Sequence, residues 1–274
     1  MQIGIGDLII SFSSSRGQIP EVYNNFLLNN ISPDLVLEFH YGKIPNFPVD
    51  EKIFDSDTVW SCYKSGGKYI FKNRPLTTTD SPDLMISIEP AFDSGDIYAS
   101  RPDLFPFQYP LGEIITINLL SRNHGILAHA CGIDDAGYGY LFLGKSTHGK
   151  STIAKLWSEN DATVLNDDRI IVREKDGEFW MYGTPWHGDF NELSPKALPI
   201  RKIFFLKHGE NNSLIPKSGA EAVSMMLTRA FPTLWDQKGM DYTLGLLDRM
   251  ANKLPCYELS FLPDKKIIDF VRNI

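Results

Sequence analysis

The stretch that most constrains the fold spans residues 138–158, where an apolar run, a glycine-flanked loop and a mixed apolar and polar run follow one another. Residues 144–151 read GKSTHGKS and match G-x-x-x-x-G-K-[ST], the pattern of a phosphate-binding loop. Residues 138–143 are short, apolar and aromatic, which predicts a buried strand, and residues 150–158 predict the first turns of a helix. A loop of this pattern binds phosphate where it connects a strand to a helix, so its flanks favour a binding site.

The residue types in this loop suit a nucleotide phosphate. Gly144 and Gly149 let the backbone approach a ligand with its N–H groups turned inward, and the helix N-terminus adds partial positive charge. Lys150 can reach the β- and γ-phosphates and the Ser151 hydroxyl can hold Mg²⁺, so we predict ATP and Mg²⁺ as cofactors. The alternative is a glycine-containing turn with a chance Lys-Ser pair. The predicted nucleotide-binding residues are Gly144, Lys145, Ser146, Thr147, His148, Gly149, Lys150, Ser151 and Thr152.

A pair of carboxylates follows the predicted helix. Residues 162–165 form a short β-prone run that ends in Asn166, Asp167 and Asp168. Carboxylates at the end of a strand beside such a loop suit Mg²⁺, and we predict Ser151, Asp167 and Asp168 as the metal-binding residues. Adjacent carboxylates also repel each other, which tends to raise the pKa of one and suits a proton acceptor. The alternative is a solvated turn, in which neither aspartate has a chemical role.

These motifs follow one another in an order that resembles a known family. His129 begins the string His-Ala-Cys-Gly, residues 134–140 form a glycine-rich hairpin, the loop comes next, and Asn-Asp-Asp stands at 166–168. In residue types and in spacing, residues 113–175 resemble the HPr kinase/phosphorylase-like kinases, which are related in fold to ATP-dependent phosphoenolpyruvate carboxykinases. That family commonly has Ala-Asp-Asp where this chain has Asn-Asp-Asp.

The resemblance implies three catalytic residues and a fold. Lys150 would bind phosphate, Asp168 would take the proton of an acceptor serine, and His129 would lie in the same site. By itself, His129 is more typical of a satisfied core histidine. The fold implied is α/β (α+β), with a P-loop core of mixed sheet and flanking helices like that of HPr kinase and phosphoenolpyruvate carboxykinase. Members of this family are often oligomers, so a homo-oligomer is left open for this chain.

A proline-rich segment predicts the division of the chain into domains. Residues 101–110 hold three prolines, which disfavour both helix and central strand. We therefore predict a β-rich N-terminal domain at 1–110, for substrate recognition or assembly, and a P-loop kinase domain at 111–274. Within them, residues 3–12 predict one strand and residues 113–120 a second, buried strand.

Residues 183–192, with the sequence GTPWHGDFNE, depart from the carrier-protein kinase. They resemble the Thr-Pro-Trp segment of HPr kinase-related proteins, including those of ribosomal-peptide (lasso-type) clusters. The segment offers carboxylates to the site, and which of Asp189, Glu192 or Arg201 joins it is left open. The alternative is a polar loop that closes a hairpin over a buried tryptophan.

For several other polar residues, the sequence pattern is less specific. Glu38 and His40 alternate on a predicted strand and share a face, which we interpret as a polar surface rather than a site. Lys145 and His148 are expected to point outward from the loop. Residues 218–221, SGAE, match a helix capping box.

Composition excludes several classes of function. The net charge of −7 argues against a non-specific nucleic-acid binder, which needs a basic surface. We expect no membrane span, because no apolar run is long enough, and no signal peptide, because the first residues lack a basic and then apolar stretch. The three cysteines are far apart and form no Cys-x-x-Cys motif, which fits a cytoplasmic protein without disulfides.

The function predicted is an ATP-dependent, Mg²⁺-requiring kinase that phosphorylates a serine hydroxyl. By the resemblance, the acceptor is a serine in a peptide or small protein, with a lasso-type precursor peptide favoured. A free-serine kinase is the nearest alternative. A nucleotide-binding regulatory module with little turnover is an alternative of another class, and an NTPase that drives motion is a third.

Overall fold

A computed structural model describes residues 1–13, 19–74 and 82–274 of the chain. Their contacts divide the chain into two compact units, Met1–Leu119 and Leu120–Ile274. Each unit is built on a large mixed sheet with few helices, so the protein is a mixed α+β protein. The domain boundary expected between residues 110 and 111 stays a prediction, and so does the P-loop core that the resemblance implies. No helix in the described ranges is both long and apolar enough to cross a membrane.

The first unit is built on one nine-stranded sheet, as far as the described residues show. Its strand order is β3-β1-β2-β4-β9-β8-β7-β6-β5, and β2, β4 and β9 are parallel neighbours. The strands are β1 (Gln2–Ile5), β2 (Leu8–Phe12), β3 (Leu27–Leu28), β4 (Leu35–Tyr41), β5 (Glu51–Asp55), β6 (Trp60–Ser65), β7 (Lys68–Asn73), β8 (Leu84–Ile88) and β9 (Ser94–Ala99). A short 3₁₀ helix covers Glu21–Phe26, and helix α1 spans Leu111–Leu120.

The prediction of a single strand over residues 3–12 is wrong. The segment is a hairpin of β1 and β2, in which Ile5 pairs with Leu8. The turn residues Gly6 and Asp7 have φ of 61° and 57°, and two consecutive positive φ values are what a tight hairpin turn of type I′ requires. The alternation of apolar residues continues through the turn, so the pattern alone does not reveal the break.

The prediction of a buried strand over residues 113–120 is also wrong, because α1 occupies them. A short continuous apolar run fits a buried helix as well as a buried strand. Within α1 the polar side chains find partners one turn back: Thr116 Oγ1 donates to the Gly112 carbonyl at 2.9 Å, and Asn118 Nδ2 donates to the Ile114 carbonyl at 2.8 Å. These bonds let a nearly fully buried helix carry polar residues.

The second unit is built on an eight-stranded sheet over its described residues. The strands are β10 (Ile126–Asp135), β11 (Tyr138–Leu143), β12 (Thr163–Asn166), β13 (Arg169–Lys175), β14 (Glu178–Gly183), β15 (Ala197–His208), β16 (Ser213–Lys217) and β17 (Cys256–Phe261). Their order is β11-β10-β13-β14-β15-β17-β16, with β12 beside β10 and a further parallel pairing of β11 with β15. The long strands β10 and β15 therefore change partners along their length.

Four helices flank this sheet and separate into two pairs. They are α2 (Lys150–Ser158), α3 (Gly219–Leu227), α4 (Gln237–Lys253) and α5 (Lys266–Arg272). Side chains of α2 and α5 belong to one hydrophobic cluster, and side chains of α3 and α4 belong to another. Two separate hydrophobic clusters on one mixed sheet give the second unit a layered core. The connection to α2 begins at the C-terminal end of β11.

The predicted capping box at the start of α3 does not form. The Ser218 side chain makes no capping hydrogen bond, although its backbone is extended as a cap requires. Glu221 accepts instead from Lys217 Nζ, at 2.5 Å. Since Gly219 has a φ of 53°, the chain enters the helix through a left-handed residue and the reciprocal cap geometry is lost.

Candidate active site

Residues 144–149, called here the glycine loop, connect β11 to α2. Gly149 caps the helix with a φ of 89°, and a Cβ built there would lie 2.7 Å from Cζ of Phe261 on β17. Both the backbone conformation and the close contact require glycine at this position. The first turn of α2 leaves N–H groups without helical partners, and Lys150, Ser151 and Thr152 of that turn line a cavity, which is the arrangement that binds anions.

Two histidines hold the glycine loop against β15. Nδ1 of His148 lies 3.0 Å from the Leu206 carbonyl, and Nε2 of His208 lies 2.8 Å from the Thr147 carbonyl. A carbonyl oxygen only accepts, so each of these ring nitrogens must carry its proton and donate. Burial lowers the pKa of His148, which keeps its ring neutral. The ring of His148 is thus used to hold the loop.

Lys150 lies at the mouth of the loop with only 7% of its surface exposed. Its ammonium donates to the carbonyl oxygens of Gly144 and Lys145, at 3.1 and 3.3 Å. Burial lowers the pKa of Lys150, and the carboxylate of Asp168 opposes that shift. A buried cation with neutral oxygen partners is under-compensated, so it favours an anionic ligand.

The glycine loop and Lys150 are the first part of the site, and Ser151 and Asp167 form the second part. The Ser151 hydroxyl donates to Oδ2 of Asp167 at 2.6 Å, and the backbone N–H groups of Gly188 and Phe190 donate to the same carboxylate at 2.9 and 3.1 Å. Asp167 is 1% exposed and is held rigidly by these bonds. A hydroxyl beside a carboxylate offers the hard oxygen ligands that Mg²⁺ prefers, so these residues fit that ion.

His129, Asp168 and Arg169 form the third part. Nε2 of His129 lies 2.8 Å from Oδ1 of Asp168, and the Arg169 guanidinium donates to the other carboxylate oxygen. Burial alone would raise the pKa of Asp168, but the His129 hydrogen bond and the charges of Arg169 and Lys150 lower it below its ordinary value. The expected rise of an aspartate pKa therefore does not apply to Asp168, because it is surrounded by cations and donors.

A change of partner along β10 brings His129 to this point. Residues 126–129 of β10 pair with β13, where His129 is opposite Arg169, and residues 130–135 pair with β11. His129 is the last residue before the change, so its side chain lies where the two pairings diverge. Crevices at such points of a sheet commonly hold ligands.

Asn166 organises the carboxylate pair, a role that the sequence did not reveal. Its buried amide nitrogen donates to the carbonyls of Thr184 and Trp186 at 3.0 and 2.9 Å. Its amide oxygen accepts from the backbone N–H groups of Asp168 and Arg169 at 2.7 and 2.8 Å. These four bonds fix the turn in which Asp167 and Asp168 point to different partners.

The three parts line one cavity of about 390 Å³. Its lining residues are His129, Ser146, Thr147, Gly149, Lys150, Ser151, Thr152, Asp167, Asp168, Gly188 and Asp189. Of the other predicted loop residues, Gly144 and Lys145 contribute carbonyl oxygens to Lys150, and His148 contacts β15.

Among the three residues left open, the structure places Asp189 at the cavity. Glu192 instead accepts a hydrogen bond from Ser158, and Arg201 pairs with Glu178 at 3.6 Å. Arg169 is a further residue of the site that the motifs did not single out. Its guanidinium lies 4.4 Å from the ring of Phe231, which fixes its orientation toward Asp168. A strand that begins with arginine directly after two aspartates was the available signal.

The cavity therefore combines a cation and helix N–H groups with a carboxylate that is ionised at neutral pH. The first set can bind the oxygens of a phosphate group. The second can accept a proton from a hydroxyl that lies within hydrogen-bond distance of Asp168. Asp167, with its oxygens turned to Ser151, is the better placed of the two aspartates for a metal ion.

Comparisons with known proteins do not decide the family. No family model matches this chain, and no curated protein matches it. Among solved structures, the HPr(Ser) kinase/phosphatase from Coxiella burnetii is 12% identical, covers 54% of this chain and 94% of its own, and has a TM-score of 0.34. A TM-score this low does not establish a shared fold, so the functional conclusion depends on the side chains of the cavity.

Proposed function

We propose that this protein is an ATP-dependent, Mg²⁺-requiring kinase that transfers the γ-phosphate to a serine hydroxyl. The observation that carries the proposal is the meeting of Lys150, the Ser151–Asp167 pair and the His129–Asp168 pair in one cavity at the N-terminus of α2. Phosphoryl transfer depends chiefly on positioning and on stabilisation of charge, and these three groups supply both.

Each group has a distinct task in this proposal. Lys150 and the N–H groups at the start of α2 hold the phosphates and stabilise the charge that develops on them. Asp168 accepts the proton of the acceptor hydroxyl, while His129 orients the carboxylate through Oδ1 and Arg169 through Oδ2. Ser151 and Asp167 would hold Mg²⁺, which neutralises phosphate charge when it is bound.

The acceptor is proposed as a serine in a peptide or small protein, and a lasso-type precursor peptide is the specific candidate. This choice rests on the resemblance of residues 183–192, of which Gly188 and Asp189 line the cavity. The net charge of −7 argues mildly against an acidic acceptor. Free serine is the alternative acceptor that the same chemistry would accommodate.

Transfer of labelled γ-phosphate from ATP tests the proposal. The wild type and Asp168→Asn are incubated with Mg²⁺ and either a pool of serine-containing peptides or free serine, and ATP binding is measured for both by calorimetry. We expect transfer to one acceptor, a loss of about 100- to 10,000-fold in Asp168→Asn, and ATP binding in both. Asp161→Asn is the matched control, because Asp161 is exposed and its φ of 64° is compatible with asparagine.

The outcomes separate the alternatives. Binding of ATP without transfer to either acceptor would favour a regulatory nucleotide-binding module over a kinase. Equal transfer by wild type and Asp168→Asn would remove Asp168 from the role of base. An absence of ATP binding would contradict the assignment of the glycine loop itself.

A further inference from the structure

The first unit carries a cluster of potential metal ligands on one face of its sheet. Glu38 and His40 alternate along β4, and Asp96 is the register partner of Glu38 on the neighbouring parallel strand β9. All three side chains therefore project from the same face. Nε2 of His40 lies 2.9 Å from an oxygen of Asp96, and one ligand atom from each residue lies within 4.8 Å of the other two.

These separations suit a small divalent ion. Zn²⁺ binds imidazole nitrogen and carboxylate oxygen at about 2.0–2.2 Å, so two of its ligands in tetrahedral geometry lie about 3.4 Å apart. The one spacing measured directly, between His40 and Asp96, is 2.9 Å, and no spacing among the three ligand atoms exceeds 4.8 Å. Side-chain adjustments of about 1 Å would bring the three atoms into coordination distance. The imidazole nitrogen makes the ligand set suit a transition-metal ion such as Zn²⁺ better than Mg²⁺ or Ca²⁺, which prefer oxygen ligands alone.

The charge of the cluster also favours a cation. Glu38 and Asp96 bring two carboxylates to one histidine, and Lys68 on β7 is already paired with Glu89 at 2.6 Å. A divalent ion would balance the charge of the two carboxylates.

A buried hydroxyl that has no hydrogen-bond partner within the described ranges lies on the next strand, on the same face of the sheet as the cluster. Ser87 on β8 is the register partner of Asp96, so Glu38, Asp96 and Ser87 lie side by side across three adjacent strands. Directly opposed residues of antiparallel strands project from the same face with their Cβ atoms about 5 Å apart. Ser87 is 1% exposed, and its Oγ has no hydrogen-bond partner among the described residues. A buried hydroxyl without a partner is costly and calls for a ligand or a ligand-bound water.

The ring of His40 is already oriented for this role. It stacks on Tyr98 with the ring centroids 4.8 Å apart and the planes 21° from parallel. Stacking restricts rotation of the imidazole and keeps Nε2 directed at Asp96. Ligand histidines are commonly fixed in this way by neighbours beyond the metal.

We propose that Glu38, His40 and Asp96 form a binding site for a divalent transition-metal ion, with Zn²⁺ as the expected occupant and Ser87 beside it. The site is separate from the glycine loop and does not depend on the kinase assignment. With three protein ligands it leaves a fourth position for water or for a group of another molecule.

Zinc binding by the full chain tests the proposal. The protein is stripped with a chelator, supplied with millimolar Mg²⁺ to fill sites that prefer hard oxygen ligands, and titrated with Zn²⁺ by calorimetry. We expect about one equivalent of Zn²⁺ to bind to the wild type, and the affinity to fall by about 10-fold or more in His40→Gln and Asp96→Asn. Co²⁺ titration gives a second readout, since its visible absorption reports an imidazole- and carboxylate-bound ion.

Glu51→Gln is the matched control, because Glu51 is an exposed glutamate on β5, at the far edge of the same sheet. It should bind Zn²⁺ as the wild type does. If circular dichroism shows that His40→Gln does not fold, the exposed Glu38→Gln decides the question with the same expected loss. Absence of Zn²⁺ binding by the wild type, or equal affinity in the wild type and the folded variants of this cluster, would overturn the proposal.

Discussion

At the scale of single residues, Asp168 shows how opposing effects set the state of a side chain. Burial disfavours its charged form, whereas the His129 hydrogen bond, Arg169 and Lys150 favour that form and together prevail. The carboxylate is therefore available as an acceptor without needing to lose a proton near neutral pH. Its reactivity depends on position, because a base with a lowered pKa is intrinsically weak.

This pKa shift predicts a specific dependence of stability on pH. A carboxyl whose pKa is lowered by folding contributes stability that is present above its unfolded pKa of about 3.9 and is lost as the pH falls through its folded pKa. The excess free energy of unfolding of the wild type over Asp168→Asn should therefore shrink between about pH 5 and about pH 3. Urea unfolding followed by circular dichroism measures it, with Asp161→Asn as the baseline. A difference that stays constant over this range would contradict the prediction.

Lys150 predicts a conflict between stability and function. Burial lowers its pKa, so the unfolded chain binds its proton more tightly and the charged ammonium destabilises the native state at neutral pH. Lys150→Met should raise the free energy of unfolding of the ligand-free chain by about 1 kcal/mol and abolish ATP binding. Lys155→Met, an exposed position in the same helix, is the control. The idea fails if Lys150→Met is the less stable of the two variants.

At the scale of elements, the turn between β12 and β13 and the glycine loop are two of the segments that form the site. The turn depends on Asn166, because its side chain makes four hydrogen bonds that fix the backbone on both sides of it. The loop depends on β15 and β17, which supply the carbonyl of Leu206, the ring of His208 and the ring of Phe261. Both segments are thus held by residues distant in sequence.

Gly149 and Gly137 provide a matched test of the contact beneath the loop. Their φ values are 89° and 88°, but a Cβ on Gly149 would overlap Phe261 whereas a Cβ on Gly137 would meet no atom within 4 Å. Both alanine substitutions should cost about 1–2 kcal/mol for the left-handed backbone. Gly149→Ala should cost a further ~1–3 kcal/mol for the overlap. Urea unfolding of the two variants measures the difference, and equal losses would show that the contact with Phe261 has no energetic weight.

At the scale of the whole molecule, each unit has a sheet and a core of its own, and the predicted nucleotide site lies entirely within Leu120–Ile274. Its residues come from β10, the β11–α2 connection, the β12–β13 turn and the segment after β14. Ligand binding should therefore stabilise the arrangement of several elements at once, since it adds contacts to residues that lie far apart in the chain.

Mg²⁺ and ATP together should raise the melting temperature of the chain. A ligand at 100 times its dissociation constant adds about 2.7 kcal/mol to the stability of the state that binds it. We expect the shift in the wild type and in Asp168→Asn, a loss of the shift in Lys150→Met, and a smaller shift when EDTA removes the metal. Thermal unfolding monitored by fluorescence measures this. A shift of equal size in Lys150→Met would contradict the proposal that Lys150 binds the phosphates of ATP.

Much of the element pattern followed from local signals. The hairpins β6–β7 and β13–β14 turn at Gly66–Gly67 and at Asp176–Gly177, where glycine accepts the positive φ that such turns need. The edge strand β16 gave no clear signal, because Pro216 lies within it and proline disfavours a strand unless it is at a sheet edge. The helical state of α1 was hidden by an apolar run that suits either structure.

Local patterns in the sequence are enough to predict the glycine loop, the strand before it and the helix after it, because glycine spacing and hydrophobic periodicity act over short distances. They also indicate the residues that are chemically competent, His129, Lys150, Ser151 and the two aspartates among them. They do not say which aspartate faces which partner. Asp167 turns to Ser151 and Asp168 turns to His129 because β10 changes partners at His129 and Asn166 fixes the turn between β12 and β13. Such choices depend on contacts between strands far apart in the chain, which no local pattern records.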